Sequence, residues 1–449
     1  MNAPQFGTDG VRGIANKELT PEVAVALGRA SVEVLAQVGH KHIVVGRDTR
    51  KSGWMLQAGL VAGATAAGAD VELLGVVPTP AVAWASADRQ AAGIMISASH
   101  NPFGDNGVKL FAPGGSKLND SVEAHIQKRY VELLEQPGSV NSDDAATGDA
   151  VGTLIASKGV QGWVDSIIDS VDNKLDTTVV VDGANGSASM IGQEILRQLG
   201  ARVISIGDRP DGVNINDGYG STSPERLQKA VLEQKADLGI GFDGDADRLI
   251  AIDAKGEIVN GDRVLAILAT DWKSRNMLKG DTVVVTVMTN LGFHRAMKDA
   301  EIEVVTTGVG DRYVLEALDE GGFSLGGEQS GHIICRDLAS TGDGILSAVQ
   351  LIDAVRRSGQ PLDVLAAKAM TSVPQVLRNV KLPSRSTDIS DRLSKPIAEV
   401  ETTFGEDGRV LVRPSGTEPL LRIMVEHVDP RKADEACASL VKFAQGLVK

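Results

Sequence analysis

The sequence contains only two cysteines, few aromatic residues and no long hydrophobic run. Cys335 and Cys437 lie far apart and match no metal-binding or redox spacing, so we expect free thiols in a reducing compartment, a bacterial-type cytoplasm. The sequence contains no stretch of about 18 apolar residues, so we expect no transmembrane helix. The first residues lack the basic and apolar regions of a signal peptide. Aromatic residues make up 3% of the chain, so its cores must be aliphatic.

Positive charge is also scarce. The chain has 45 Lys and Arg residues and 59 Asp and Glu residues, which gives a formal net charge of −14. Proteins that bind nucleic acid normally carry a basic surface, so we expect no nucleic-acid partner, and no membrane partner. An anionic substrate would need a locally basic site on this acidic protein. The length of 449 residues predicts roughly three domains, and four small ones also fit.

One supersecondary plan recurs three times along the chain. A β-rich run is followed each time by a helix-compatible stretch and a second apolar run. The β-rich runs are residues 42–45, 178–181 and 282–285, and the later apolar runs are 71–74, 203–206 and 302–305. Strands that alternate with helices of this length indicate βαβ units, in which parallel sheets are covered on both faces.

In each unit a later strand runs into a polar motif. These motifs are SASHNP (97–102), DGDADR (243–248) and GEQSGH (327–332). Ligands of open α/β sheets bind beyond the carboxyl ends of the strands, so we expect the three motifs to meet in one central cleft. After Met370 the pattern changes to two strands around the loop RPSGTEP (413–419) and a last helix, which indicates a smaller α+β domain.

The predicted architecture is therefore three related α/β domains with mixed or parallel sheets, followed by a C-terminal α+β domain. We place the boundaries at residues 1–152, 153–255, 256–369 and 370–449. The segment 136–152, rich in Gly, Ser and Asp, is predicted to be a linker.

The motif DGDADR places three aspartates, Asp243, Asp245 and Asp247, at every second residue. On an extended chain such residues share one face, so their carboxylates can converge and would repel one another without a cation. Oxygen-only ligands favour Mg²⁺. An EF-hand is excluded because Arg248 and Ala254 occupy its glycine and glutamate positions. A solvated acidic turn remains the structural alternative.

The motif SASHNP offers Ser97, Ser99 and His100 where a buried strand reaches the surface. A Ser–His hydrolase is one interpretation, but neighbouring side chains on an extended chain point to opposite faces, and no G-x-S-x-G elbow is present. A serine beside Mg²⁺ and several cations fits phosphoryl transfer better. On its own, the motif could also be an ordinary strand-to-turn junction.

Three further segments offer polar groups for a phosphorylated ligand. RPSGTEP resembles an anion cradle, GEQSGH suits the hydroxyl and amine groups of a sugar, and GTDGVRG (7–13) supplies Arg12 on a flexible segment. Each could equally be a polar loop without function. The candidate binding residues are Arg248, Glu328, Ser330, His332, Arg413, Ser415, Gly416, Thr417 and Arg422, and Lys109 follows SASHNP closely.

Together the motifs SASHNP, DGDADR, GEQSGH and RPSGTEP, in this order and preceded by GTDGVRG, resemble the α-D-phosphohexomutase superfamily over nearly the whole chain. The resemblance implies that Ser99 is the nucleophile and is phosphorylated in the active enzyme. It also implies one Mg²⁺ bound by Asp243, Asp245, Asp247 and a phosphate oxygen on Ser99. The fourth domain would carry the phosphate loop.

The resemblance further implies an enzyme that interconverts glucosamine 6-phosphate and glucosamine 1-phosphate through a bisphosphate. Lys109 and Arg12 are the candidates for proton transfer or charge stabilisation, and His100 would support the serine loop. Glucose or mannose phosphates, a Mg²⁺-dependent sugar phosphatase and a non-enzymatic sugar-phosphate sensor remain alternatives. The expected partners are small sugar phosphates, and the sequence leaves open whether the chain forms a homodimer.

Overall fold

The computed structural model describes residues 4–7, 9–35, 41–135, 146–382, 392–414 and 419–447. In these ranges the chain forms four sheets, three in α/β domains and one in a smaller C-terminal domain. This architecture confirms the predicted fold class. No helix in the described ranges is both long enough and apolar enough to cross a membrane.

The first domain is built on a seven-stranded mixed sheet. Its strands are β1 (Phe6–Gly7), β2 (Gly10–Ile14), β3 (His42–Arg47), β4 (Asp70–Val76), β5 (Ala92–Ile96), β6 (Asp105–Phe111) and β7 (Leu154–Ile155). Its helices are α1 (Pro21–Leu35), α2 (Gly53–Ala66), α3 (Thr79–Arg89) and α4 (Asp120–Glu135). The strand order is β1-β2-β6-β5-β3-β4-β7, and β3, β4, β5 and β7 run parallel. Strand β7, which lies just past residue 152, therefore adds to the first sheet.

The second domain contains a five-stranded sheet. Its elements are α5 (Gln161–Ile168), β8 (Thr178–Asp182), α6 (Ala188–Gln198), β9 (Arg202–Ile206), α7 (Glu225–Gln234), β10 (Leu238–Phe242), β11 (Leu249–Asp253) and β12 (Ile258–Val259). The order is β12-β11-β10-β8-β9. Strands β10 and β11 form an antiparallel hairpin, and DGDADR is the connection between them.

The third domain repeats this plan with four strands. Its elements are α8 (Gly261–Ser274), β13 (Thr282–Thr286), α9 (Leu291–Asp299), β14 (Glu303–Thr307), α10 (Asp311–Gly321), β15 (Leu325–Gly327), β16 (Ile333–Cys335), α11 (Gly344–Ser358) and α12 (Leu362–Ala369). The order is β14-β13-β15-β16, and GEQSGH connects the antiparallel pair β15–β16. The second and third domains thus present their motifs in equivalent hairpins.

The C-terminal domain has an antiparallel sheet in the order β17-β19-β18. Its elements are β17 (Gln375–Lys381), α13 (Ser394–Phe404), β18 (Gly408–Pro414), β19 (Leu420–His427) and α14 (Pro430–Leu447). The domain has a hydrophobic core of its own, formed by residues such as Leu421, Ile423 and Leu440. In contrast, one continuous core joins the first three domains, from Val82 through Trp163 to Leu346. The fourth domain is therefore the separately packed unit.

A buried acid, Glu426, fastens the C-terminal domain to the third domain. Its Oε1 accepts a hydrogen bond from Asn290 Nδ2 at 2.9 Å, and its Oε2 accepts one from Leu291 N at 3.0 Å. Arg409, from the neighbouring strand β18, pairs with Oε2 at 2.6 Å. Since the Glu426 side chain is fully buried, each of these partners compensates the cost of removing the carboxylate from water.

Replacing Glu426 by alanine should loosen this attachment. Because the change leaves Leu291 N without its acceptor and Arg409, which is 23% exposed, without its ion-pair partner, we expect it to lower the free energy of unfolding by about 2–4 kcal/mol. Glu426→Gln should cost less, since its amide oxygen still accepts one of the hydrogen bonds. The measurement is chemical denaturation combined with hydrogen exchange of strand β19.

The matched control is Asp434→Ala, which removes an exposed acid that pairs with Arg378 at 2.7 Å within the same domain. Exposed ion pairs contribute at most about 1 kcal/mol, so this variant should remain close to the wild type. Equal stability of Glu426→Ala and Asp434→Ala would show that Glu426 does not hold the domain in place.

Candidate active site

The three polar motifs lie together because the DGDADR loop contacts both neighbouring domains through its backbone. Thr79 N, from the first domain, donates a hydrogen bond to Asp245 O at 2.9 Å. Gly344 N of the third domain donates one to Ala246 O at 3.0 Å, and Leu249 N, directly after the loop, donates one to Gly331 O at 3.1 Å. Close packing is also required at Gly244, where a Cβ atom would lie 2.6 Å from Ser99 O. The predicted convergence of the motifs is therefore present in the structure.

The aspartates of DGDADR converge, although not for the reason that the sequence suggested. We expected an extended chain, but β10 ends at Phe242 and β11 begins at Leu249, and the six residues between them form turns. Ala246 has a left-handed φ of 57°, and its N donates to Asp243 O at 3.1 Å. The tight turn, rather than one face of a strand, directs the carboxylates to a common point.

The geometry and the donor set of this cluster fit a hard divalent cation. Oxygen atoms of Asp243, Asp245 and Asp247 all lie within 4.8 Å of one another, and the three residues are at most 5% exposed. Oδ1 of Asp245 and Oδ1 of Asp247 are buried without a hydrogen-bond partner. Burial and then the neighbouring carboxylates raise the pKa of Asp243 well above its usual value. A cation ligated by oxygen alone, such as Mg²⁺, would relieve both the repulsion and the unpaired oxygens.

Lys109, on strand β6, compensates part of this negative charge. Its Nζ lies 2.9 Å from Asp245 Oδ2, 3.2 Å from Asp247 Oδ2 and 3.3 Å from Asp9 Oδ2. Burial disfavours the charged amine, but the three carboxylates outweigh burial and hold the pKa of Lys109 well above its usual value. The side chain is therefore a fixed positive charge at the edge of the aspartate cluster.

Ser99 points directly at the aspartate cluster. Its hydroxyl donates to Asp243 Oδ2 at 2.6 Å, and the residue is fully buried. Strand β5 ends at Ile96, and Ser99 has a left-handed φ of 52°, which is an uncommon conformation for a residue other than glycine. Because the strand does not persist to Ser99, the side chains of Ser99 and His100 do not point to opposite faces: His100 Nδ1 lies 3.4 Å from Ser99 Oγ.

His100 is suited to accept hydrogen bonds rather than to carry charge. Burial, followed by the nearby guanidinium groups of Arg248 and Arg12, lowers the pKa of His100. Arg248 Nη1 lies 3.3 Å from His100 Nδ1, and the backbone N of Arg248 donates to Asp243 Oδ1 at 3.2 Å. Arg248 therefore links the serine loop to the aspartate loop.

The strained conformation of Ser99 is held by a residue that the sequence analysis missed. Arg50 is fully buried, and its Nη2 donates to Ser99 O at 3.0 Å and to Asn101 O at 2.8 Å. Its Nε pairs with Asp48 at 2.9 Å, and Asp48 also accepts a hydrogen bond from Ser97 Oγ at 2.7 Å. Ser97 Oγ in turn accepts one from Ser99 N at 2.9 Å. The available sequence signal was GRDTR (46–50), another polar run at a strand end.

Arg12 lies on a strand, which corrects the prediction of a flexible segment. Strand β2 pairs with β6, and Arg12 is opposite Gly107. The guanidinium forms an ion pair with Asp9, and its Nε has no partner among the described residues. Part of the GTDGVRG motif, Thr8, lies outside the described residues.

The GEQSGH hairpin of the third domain brings Glu328, Ser330 and His332 toward the same region. Glu328 accepts a hydrogen bond from Gly310 N at 3.2 Å and one from Ser330 Oγ at 3.5 Å. His332 is buried, with Nδ1 3.8 Å from Asp247 Oδ1. Burial opposes protonation of His332, but the neighbouring carboxylates outweigh it and raise its pKa. Glu328 and Ser330 are thus more accessible than His332.

In the C-terminal domain, two arginines lie side by side on adjacent strands. Arg413 of β18 is directly opposite Arg422 of β19, and the Nε atoms of both are buried without a partner among the described residues. Burial and then the charge of Arg422 lower the pKa of Arg413. Two adjacent cations that have no carboxylate within ion-pair distance in the described part of the chain make an anion-binding surface. The other predicted members of this cradle, Ser415, Gly416 and Thr417, lie outside the described residues.

Three more charged residues at the site escaped the sequence analysis. Asp9 accepts from Lys117 Nζ at 3.1 Å, and Lys117 Nζ also pairs with Asp311 at 2.6 Å. Asp311 begins helix α10 of the third domain, so Lys117 bridges the first and third domains. Lys117 and Asp311 are 194 positions apart in the sequence, and neither belongs to one of the motifs quoted above.

Four phosphoglucomutase/phosphomannomutase domain families match the chain in succession. Alpha/beta/alpha domains I, II and III match residues 3–136, 161–256 and 260–373, and the C-terminal domain matches residues 368–443. Two similar curated proteins are the phosphoglucosamine mutases of Frankia alni and Saccharopolyspora erythraea. They are 51% and 50% identical, over 94% and 98% of this chain and 93% and 99% of their own lengths.

Solved structures show the same fold. A phosphoglucomutase/phosphomannomutase family protein from Burkholderia thailandensis superposes with a TM-score of 0.82 at 25% identity, over 100% of this chain and 99% of that one. Aspergillus fumigatus N-acetylphosphoglucosamine mutase, in complex with GlcNAc-6P and magnesium, superposes with a TM-score of 0.74 at 19% identity, over 100% and 96% of the two chains. The chain belongs to the phosphoglucomutase/phosphomannomutase family and is a phosphosugar mutase.

Proposed function

We propose that this enzyme interconverts glucosamine 6-phosphate and glucosamine 1-phosphate through a phosphorylated Ser99 and a 1,6-bisphosphate. The observation that carries the proposal is the buried hydroxyl of Ser99, 2.6 Å from Asp243 in a cluster of three aspartates. The amino-sugar specificity rests on the two curated relatives at 51% and 50% identity, both phosphoglucosamine mutases. We expect the reaction in the cytoplasm, in agreement with two buried free thiols.

Asp243, Asp245 and Asp247 would hold one Mg²⁺ in this proposal, with a phosphate oxygen on Ser99 as a further ligand. When bound, Mg²⁺ supplies positive charge that neutralises the phosphoryl oxygens. The protein contributes fixed charge and position: Lys109 from one side, Arg12 and Arg248 from the others. Preorganised charges of this kind stabilise the transition state of phosphoryl transfer without having to reorganise.

The proposed transfer is balanced within the site. The P–O bond to Ser99 Oγ breaks, and a P–O bond to the free sugar hydroxyl forms. The hydroxyl loses its proton, and Ser99 Oγ ends protonated. His100, 3.4 Å from Ser99 Oγ, helps to place the serine, and Arg50 holds its backbone. After the bisphosphate turns, the reverse transfer returns the other phosphate to Ser99.

Two orientations of the sugar must bind to the same cleft. Glu328 and Ser330 offer acceptors and a hydroxyl for the sugar substituents, with His332 buried behind them. Arg413 and Arg422 are two cations for the phosphate that is not reacting, and Ser415, Gly416 and Thr417 would complete this cradle. A cradle on the separately packed fourth domain allows closure over the substrate by a hinge motion.

The test of the proposed function is an assay of the purified protein with glucosamine, glucose and mannose 6-phosphates. We expect turnover of glucosamine phosphate to exceed that of both others. Preferred turnover of glucose phosphate or mannose phosphate would show that the glucosamine specificity is wrong. Release of one inorganic phosphate per substrate consumed would show a phosphatase, in which water intercepts the phosphoserine.

Ser99→Ala should abolish mutase activity while the protein remains folded, because it removes the only oxygen placed against Asp243 by this loop. Ser97→Ala should keep partial activity. It removes the hydrogen bond from Ser97 Oγ to Asp48 and the one from Ser99 N to Ser97 Oγ, together about 2 kcal/mol of loop stability, but leaves Arg50 in place. The measurement is the initial rate of each variant, with circular dichroism as the folding control. An inactive Ser97→Ala beside an active Ser99→Ala would identify a different nucleophile.

Asp245→Asn should weaken Mg²⁺ binding at least about a hundred-fold, since changes to groups that merely orient metal ligands already cost about ten- to a hundred-fold. Calorimetric titration of Mg²⁺ gives the affinity directly. The matched control is Asp253→Asn, a buried acid at the far end of strand β11, which accepts hydrogen bonds from Lys255 N and Glu257 N. Unchanged Mg²⁺ affinity in Asp245→Asn would contradict the assigned metal site.

Arg413→Ala should weaken binding of both monophosphates, because each presents its distal phosphate to the same cradle. Losing a hydrogen bond to a charged group costs on the order of 2 kcal/mol, or about thirty-fold in affinity. The dissociation constants of glucosamine 6-phosphate and glucosamine 1-phosphate are measured separately, with the exposed Arg431→Ala as control. Loss for one isomer alone would show that the cradle serves a single orientation.

A further inference from the structure

Six charged or titratable side chains form a closed ring at the junction of the first three domains. Basic and acidic side chains alternate around the ring. The successive distances are Lys109–Asp9 3.3 Å, Asp9–Lys117 3.1 Å, Lys117–Asp311 2.6 Å, Asp311–His332 3.6 Å, His332–Asp247 3.8 Å and Asp247–Lys109 3.2 Å. The first domain supplies Asp9, Lys109 and Lys117, the second Asp247, and the third Asp311 and His332.

The ring has two halves with different neighbours. Asp247, Lys109 and His332 form the half that adjoins the candidate metal cluster. Asp9, Lys117 and Asp311 form the opposite half, in which Lys117 pairs with Asp9 and Asp311 and with none of the three clustered aspartates. The side chains of Lys117 and Asp311 are only 12% and 17% exposed, so their charges are poorly screened by water.

We propose that Lys117 and Asp311 are positioning residues, which close this ring and thereby fix Lys109 and His332 on the two sides of Asp247. The proposal rests on the proposed function in one respect only, that Lys109 and His332 act at the site of phosphoryl transfer. Neither Lys117 nor Asp311 is assigned a contact with the substrate.

The direction of the effect follows from the charges that remain when Lys117 is removed. Asp9 then has Arg12 and Lys109 as its cations, so it draws Lys109 away from Asp247. Asp311 loses its closest partner and draws His332 away from Asp247 as well. Both groups would leave the cluster that they flank, although no residue of the cluster has changed.

Lys117 is not needed to hold the first and third domains together. Arg312, the next residue after Asp311, forms ion pairs across the same boundary, with the cation on the third domain and the acids on the first. Its Nη2 donates to Glu123 Oε2 at 2.9 Å and to Leu118 O at 3.1 Å, and its Nη1 pairs with Asp120. The shared hydrophobic core of the three domains adds to this attachment. A loss of function on removing Lys117 would therefore not require the domains to separate.

The experiment compares Lys117→Met, Asp311→Asn, the double variant and Lys117→Arg in steady-state assays with glucosamine 6-phosphate. We expect kcat to fall about ten- to a hundred-fold in each of the first two variants, since small displacements of groups at the reacting centre cost up to about a hundred-fold. KM should stay within about threefold, because no substrate contact is lost. The double variant should be no slower than the slower single variant, since the pair acts as one unit. Lys117→Arg should retain most of the rate because it keeps the charge.

The matched control is Lys255→Met. Lys255 pairs with Asp363 at 2.6 Å, the same distance as Lys117 to Asp311, but on an exposed surface away from the cleft. It should behave as the wild type. A kcat within twofold of the wild type in both Lys117→Met and Asp311→Asn would overturn the proposal. A raised KM with unchanged kcat would also overturn it, because it would make Lys117 a substrate-binding residue.

A crystal structure of Lys117→Met separates this proposal from the proposed function, because it needs no substrate. We expect Lys109 Nζ to move toward Asp9 and out of hydrogen-bonding distance of Asp247. Unmoved Lys109 and His332 would overturn the positioning role, whatever the activity. If the wild type fails to convert glucosamine phosphates but the variant shows this displacement, the assigned substrate is wrong and the ring is not.

Discussion

The constraint on which this structure depends is the burial of three carboxylates within 4.8 Å of one another. Such a cluster is unstable unless cations surround it, and the fold supplies them from several directions. Lys109 comes from the first sheet, and Arg248 comes from the loop that carries the aspartates. The remaining unpaired oxygens of Asp245 and Asp247 leave room for one hard metal ion. Phosphate carries a dense negative charge, and a site in which Lys109 and Arg248 are already held against the aspartates suits its transfer.

The division of the chain into three fused domains and one separate domain serves the same purpose. A continuous hydrophobic core makes the first three domains one scaffold, so the loops SASHNP, DGDADR and GEQSGH keep their relative positions. The fourth domain has its own core and is fastened by the buried Glu426 and its partners Asn290, Leu291 and Arg409. One scaffold for the serine and aspartate loops is thus combined with a separately packed domain that carries Arg413 and Arg422.

Much of this could be predicted from the sequence, because the strand-to-motif pattern is local. The fold class, the family and the convergence of the motifs follow from it. Loop conformation was not predictable in this way: the left-handed backbone of Ser99 brings His100 close, and turns rather than a strand gather the aspartates. Arg50 and the Lys117–Asp311 pair were not predictable either. These residues act through partners far away in the sequence, and such contacts leave no periodic signal.

In the proposed mechanism, Ser99 carries the phosphoryl group between two sugar positions. The experiment adds Mg²⁺ and a hexose 1,6-bisphosphate, isotopically labelled in both phosphates, to the unphosphorylated protein. Mass spectrometry then locates the label. We expect one labelled phosphate per chain, on Ser99, and a matching amount of sugar monophosphate in solution. Label on any other residue, or label released as inorganic phosphate while Ser99 stays unmodified, would show that Ser99 is not the phosphoryl carrier.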